Sequence, residues 1–268
     1  MDVFTHERYR GNPCAVVLDG GGLDDEAMQR FAHWTNRSET TFLLPAEADG
    51  ADYRVRIFTP VAELPFAGHP TLASCHAWLE AGGDPAADEI VQECAAGLVR
   101  IRRGEGRLAF AAPPLIRSGP VEEALVQELA EVLGIDRTAI IDAQWADNGP
   151  GWVAVLLADA DSVLALRPRF SEHDIGVAGP HPAGGEADWE VRAFFAKDGS
   201  TVEDPVTGSL NASLAGWLLA SGRASAPYVA AQGTALGRRG RVHIDVDDAG
   251  TVWVGGGTVS CISGDVEL

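Results

Sequence analysis

Positive charge is scarce in this chain: 20 lysines and arginines stand against 39 aspartates and glutamates, a net charge of −19. Nucleic acid and anionic membrane surfaces are bound through basic patches, so neither is expected as a partner. The acidic excess serves solubility, and an anionic ligand has to be drawn in by a local positive potential instead. Cysteine is sparse too. Cys14, Cys75, Cys94 and Cys261 are scattered with no C-x-x-C pair, which argues against a zinc site or disulfide framework and for buried free thiols. The seven histidines are dispersed; His69 and His76 can share a helix face, yet no ligand set gathers around them and no metal is expected. No run approaches the ~20 apolar residues that cross a bilayer. The opening MDVFTHERYRGNPCAVV has no basic start, apolar middle or small-residue cleavage site, so a cytoplasmic location is the expectation.

What is present is an ordinary globular composition, 46% hydrophobic and 22% charged over 268 residues, enough for one large domain or two of usual size. A chain of this length buries about three quarters of its surface and needs no staple to fold. Alternation and β-branched content predict strands over 14–18, 40–44, 53–58, 98–103, 107–112, 151–158, 189–195, 241–246 and 251–256. Helical periodicity falls on 24–35, where Asp24 can cap, and on 69–82, 121–134 and 209–222. Strands outnumber helices in mixed order, which predicts an α+β fold. The proline-rich PPLIRSGP (113–120) marks a candidate boundary between domains 1–118 and 119–268, with room for the last strand to return to the first half. VAGPHPAGGEAD (177–188) is expected to be a loop.

The chain also repeats itself. YRVRIFTPVAELPFAGHPTLASCHAWLEAGG and WEVRAFFAKDGSTVEDPVTGSLNASLAGWLLASG both begin with an aromatic residue followed by V-R-x-F. Both continue with E-x-P-x-x-G, at Glu63, Pro65, Gly68 and at Glu203, Pro205, Gly208, and then a helix carrying Trp78 or Trp217. A duplicated half suggests two similar domains, with two glycine-led helix starts facing each other across a cleft. A helix start offers unpaired N–H groups and about half a positive charge. Two of them make a carboxylate pocket in an acidic protein, and Gly68 and Gly208 permit close approach to the backbone. Pro70 suits the first turn. Ser209 and Asn211 can add hydrogen bonds, although a plain N-cap accounts for Ser209 equally well.

Candidate acids and bases stand at these turns. Glu39, in NRSETTFLL, leads into an apolar strand, and a carboxyl beside an apolar cavity can serve as both acid and base. Asp204 precedes the second helix start and His69 follows Gly68 at the first. Taken singly, each also reads as an ordinary turn or structural residue.

RGNPCAVV, SETTFLL, RIFTPVAELPFAGHPTL, DPVTGSLNASL and QGTALGRRGRVHIDV…VGGGTVSCISG, in that order along nearly the whole chain, resemble the PhzF-like family of phenazine biosynthesis. The resemblance implies a diaminopimelate epimerase-like fold: two pseudo-twofold-related domains, each a curved, barrel-like, mainly antiparallel sheet around a central helix, with the site between them. Diaminopimelate epimerases carry a cysteine at each glycine-led helix start, whereas FAGHPT and PVTGSL contain none, which disfavours two-thiol racemisation. The family's characterised enzyme isomerises trans-2,3-dihydro-3-hydroxyanthranilate without a cofactor. By resemblance Glu39 matches its proton-shuttling glutamate, while His69, Asp204 and Ser209 match polar residues around the substrate. Gly68 and Gly208 match the backbone that holds the carboxylate, and Pro70, Thr71 and Thr207 complete the substrate-binding set. A homodimer is the family-level expectation. GRRGR departs from relatives that have proline after the first arginine, the 171–188 segment lacks a helix, and the start before DVFT is short; these leave the substrate open. The expected function is a cofactor-independent isomerase moving a proton within a small unsaturated or cyclic carboxylic acid. The alternatives are a non-thiol racemase or epimerase, or a non-catalytic acid-binding protein on the same scaffold.

Overall fold

The computed structural model describes residues 1–197 and 199–268. Two units divide them: Met1–Ala111 with Gly255–Leu268, and Ala112–Val254.

The first unit runs β1 (Asp2–Val3), β2 (Asn12–Val17), α1 (Asp25–Thr35), β3 (Glu39–Leu44), β4 (Tyr53–Phe58), β5 (Glu63–Leu64), α2 (Gly68–Glu80), β6 (Ile90–Cys94), β7 (Gly97–Gly104) and β8 (Arg107–Ala111). The second runs β9 (Arg117–Pro120), α3 (Glu123–Leu133), β10 (Asp142–Asp147), β11 (Val153–Leu156), α4 (Ala160–Ala165), β12 (Ile175–Pro180), β13 (Trp189–Lys197), β14 (Ser200–Asp204), α5 (Gly208–Ala220), β15 (Tyr228–Gln232) and β16 (Gly240–Val246), followed by β17 (Val252–Gly256). From β2 to β7, and again from β11 to β16, the element order and the pairing senses are the same. Strand one is parallel to strand two, which is antiparallel to strand three. Strand three is antiparallel to the short fourth strand and parallel to the strand after the long helix. That strand is antiparallel to the next. The sequence repeat therefore falls on equivalent elements of a mixed, α+β architecture.

Side-chain pattern explains the helices. Asp24 accepts from Ala27 N–H at 2.8 Å and starts α1. In α3 the buried Val126, Leu129, Ala130 and Leu133 form one stripe, and Gly134 ends the helix in the left-handed region at φ 71°. The long helices differ from these. α2 and α5 each have 13 residues, nine of them buried, so both are enclosed by their own unit rather than laid on it by one face.

The repeated V-R-x-F…E-x-P motif is a clamp on the hairpin before each long helix. Arg56 holds Glu63 through Nε and Nη2, both at 2.7 Å, and lies 5.1 Å from the centre of the Phe58 ring. Arg192 holds Glu203 at 2.9 and 2.7 Å and lies 4.9 Å from the centre of the Phe194 ring. Such two-bond guanidinium–carboxylate pairs fix geometry as well as charge.

Two expectations need correcting. Residues 177–188 are not all loop, because Ile175–Pro180 is a strand flanked by β11 and β13. Its glycines are there for packing: a Cβ on Gly176 would sit 2.2 Å from the Leu210 side chain, and one on Gly179 2.4 Å from the Asp159 carbonyl oxygen. PPLIRSGP is not wholly a connector either, since Arg117–Pro120 pairs with β10. The units divide after Ala111, just ahead of PPLIRSGP, and Gly255–Leu268 go with the first.

Candidate active site

Each unit gathers polar side chains at the start of its long helix. Neither start has a side-chain cap: Ala67 and Thr207 are the N-cap residues, and neither gives a capping bond. By contrast, α1 and α4 are capped by Asp24 and Asp159. An uncapped start keeps its positive end available to an anion.

In the first unit, the opening residue of β3 is Glu39 and the second residue of α2 is His69. His69 Nε2 lies 3.0 Å from Glu39 Oε2, with side chains 6% and 15% exposed. The separation is that of an ion pair. Asn12 Nδ2 is 3.4 Å from His69 Nδ1 on the far side of the ring. With the amide nitrogen as donor, the neutral imidazole keeps its proton on Nε2, facing the glutamate. Cys14 sits opposite Glu39 in the parallel β2–β3 register. Burial, and next the charge of Glu39, push its thiol far above the usual range, so it stays protonated and makes a poor nucleophile. Cys75 is enclosed within α2, and burial pushes it up to about 12. The thiols nearest this helix start are therefore inert.

Pro70 and Thr71 lie inside the first unit with Gly68. Thr71 Oγ1 donates to the Ala67 carbonyl at 2.9 Å and accepts from Gln92 Nε2 at 3.0 Å. Its hydroxyl thus serves the helix.

In the second unit, Asp204 ends β14 and Thr207 Oγ1 donates to its Oδ2 at 2.6 Å. Ser209 is not the N-cap. Its hydroxyl accepts from Trp152 Nε1 at 3.0 Å, and its carbonyl accepts from Asn148 Nδ2 at 3.0 Å. Asn211 is spent on the Thr207 carbonyl and on Gln232. The structure thus brings Glu39, His69 and Gly68 together in one unit, and Asp204, Thr207, Gly208 and Ser209 in the other. Sequence reasoning missed Asn12, Trp152, Asn148 and Gln232. Asn12 and Gln232 stand in recognisable stretches, RGNP and QGT, whereas Trp152 and Asn148 carry no signal of their own.

A family model for phenazine biosynthesis-like proteins matches residues 1–264. Antisense-enhancing sequence 1 of Schizosaccharomyces pombe is 36% identical over 287 residues, covering 98% of this chain and 96% of its own. Trans-2,3-dihydro-3-hydroxyanthranilate isomerase of Pseudomonas aeruginosa is 34% identical over 267 residues, covering 93% and 90%. The crystal structure of the PhzF-family phenazine biosynthesis protein of Bacillus anthracis shares the fold, with a TM-score of 0.81 at 23% identity over 96% of this chain and 93% of that one. The chain belongs to the phenazine biosynthesis-like, PhzC–PhzF family. Within that family it is an isomerase. Among the described residues, no helix is long and apolar enough to cross a membrane.

Proposed function

We propose that this isomerase moves a proton within a small unsaturated or cyclic carboxylic acid, with trans-2,3-dihydro-3-hydroxyanthranilate as the first compound to try. The observation that carries the reading is the enclosed Glu39–His69 pair, 3.0 Å apart beside an uncapped helix start. Glu39 takes a proton from a carbon next to the conjugated system, and the C–H electron pair moves into that system. The same carboxyl returns the proton at another carbon, so atoms and charge balance without an outside reagent. His69 holds the carboxyl in place. The backbone at Gly68, at the uncapped start of α2, receives the substrate carboxylate. Asp204, Thr207 and Ser209 orient its other polar groups, while Pro70 and Thr71 shape the helix start. The role given to the P. aeruginosa relative by its name supports this choice of substrate. The same reading puts the reaction in the cytoplasm and the protein in a homodimer, the latter checked by light scattering.

Incubation with that compound in heavy water tests the proposal. Deuterium at a new carbon of a rearranged product is the expected result. Deuterium at a stereocentre of an unchanged skeleton would make the protein an epimerase, and binding with no incorporation would make it a binding protein.

A further inference from the structure

Gln232 belongs to the QGT stretch, to which the reaction above gives no task. It is fully enclosed, at 0% exposure. Its Oε1 accepts from the Thr207 backbone N–H at 2.9 Å and from Asn211 Nδ2 at 2.8 Å. Its Nε2 donates to Thr207 Oγ1 at 2.9 Å and to the Asp204 carbonyl at 3.2 Å. Both donors of the amide and both lone pairs of its oxygen are used. The opposite orientation would set the NH₂ group against two donors and the oxygen against a carbonyl, so chemistry fixes which way this amide points. Thr207 Oγ1 accepts a hydrogen bond from Gln232 and has its own proton to donate elsewhere. That proton goes to Asp204 Oδ2, 2.6 Å away.

The first unit shows the same device with a different ending. Gln92, also at 0% exposure and on the strand after its helix, accepts from Tyr53 Oη at 3.0 Å and donates to Thr71 Oγ1 at 3.0 Å. Thr71 then donates to a backbone carbonyl of its own helix. A buried glutamine locks a threonine hydroxyl in both units; only in the second does that hydroxyl end on a carboxylate.

We infer that Gln232 is a positioning residue, which aims the Thr207 hydroxyl and through it the Asp204 carboxylate at the start of α5. The inference rests on the reading that Asp204 orients the substrate. Gln232→Glu keeps the size and the two accepted bonds but loses both donated ones, so the Thr207 hydroxyl turns to the new carboxylate and lets Asp204 go. Thr207→Val cuts the same link at the next atom, and Thr207→Ser restores it.

The test is steady-state turnover of trans-2,3-dihydro-3-hydroxyanthranilate by the full chain and these variants, with melting temperatures taken alongside. Gln232→Glu and Thr207→Val are each expected to lower kcat by about ten- to hundredfold with KM little changed, the equivalent of one hydrogen bond to a charged group. Thr207→Ser, which keeps the hydroxyl, is expected to recover at least tenfold of the kcat that Thr207→Val loses, and the double variant of Gln232→Glu with Thr207→Val to be no slower than the slower single one. Should Gln232→Glu fail to fold, Gln232→Met, of similar length and without either donor, takes its place with the same expected loss of kcat. A folded Thr207→Val or Gln232→Glu at the wild-type kcat, or losses that multiply in the double variant, overturns the inference alone. A wild type with no turnover overturns the reading beneath it as well.

Discussion

The two long helices start from the same scaffold and hold opposite kinds of chemistry. At α2 an ionisable pair, Glu39 and His69, lies enclosed and 3.0 Å apart. At α5 the corresponding space is a saturated lattice of Gln232, Thr207, Asn211 and Asp204. A saturated lattice resists change of protonation because each hydrogen already has its acceptor. The comparison teaches that matching elements do not imply matching roles: one start suits proton transfer and the other suits holding.

The shared clamp gives the sharpest way to test how far the likeness extends. Arg192 and Glu203 have side chains 5% and 10% exposed, whereas those of Arg56 and Glu63 are 17% and 36% exposed. Arg192→Met strands a buried carboxylate and should cost about 3–5 kcal/mol. Arg56→Met should cost about 1 kcal/mol or less, because water screens the pair. Urea unfolding of both variants measures the difference, and equal losses would break the distinction between the two units.

A smaller effect is expected in the first unit's amide device. Tyr53→Phe removes the hydroxyl that Gln92 accepts from inside the unit, and should cost about 1–2 kcal/mol. Turnover should stay near the wild-type level, since this chain ends on backbone. A large fall in kcat at unchanged stability would show that the first device, too, reaches the chemistry.

The smallest effect concerns Asp174. Thr40 pairs with Phe58 and Ile175 with Phe194, the two phenylalanines of the repeat, so Asp174 stands in the second unit where Glu39 stands in the first. Burial is the main cause of a carboxyl raised to about 6; the charge of His173 opposes the shift and that of Asp147 adds to it. The folded value lies above the ordinary 3.8, so the folded form binds the proton more tightly and stability falls as pH rises from about 4 to about 6. Asp174→Asn should remove that fall. After allowance for partial solvent screening it should gain about 1 kcal/mol at pH 7, or roughly 2–4 °C in melting temperature. A variant whose melting temperature follows the wild-type pH dependence would contradict this.

Much of this was legible in the residues. The period-two runs and the capped or glycine-ended helices mark most elements, and the repeated V-R-x-F…E-x-P-x-x-G stretch marks equivalent ones. Glu39, His69 and Asp204 could be picked out because each sits where a turn meets a strand or helix start. β12 was illegible because Gly176 and Gly179 look like loop residues until Leu210 and Asp159 are seen pressing on them. β6 and β15 are short and look unremarkable, so the glutamines they carry were missed. Gln92 and Gln232 matter through partners 21 to 39 residues away, and no local pattern encodes such a contact. Trp152 was missed for the same reason, its partner Ser209 being 57 residues distant.

The most direct test of the account is the rate at which Glu39→Gln incorporates solvent deuterium into trans-2,3-dihydro-3-hydroxyanthranilate, measured beside its affinity for the same compound. Loss of exchange by about a thousandfold or more, with binding and melting temperature near wild type, is the predicted result. Exchange at the wild-type rate in a folded Glu39→Gln protein would contradict the assignment of Glu39 as the proton carrier.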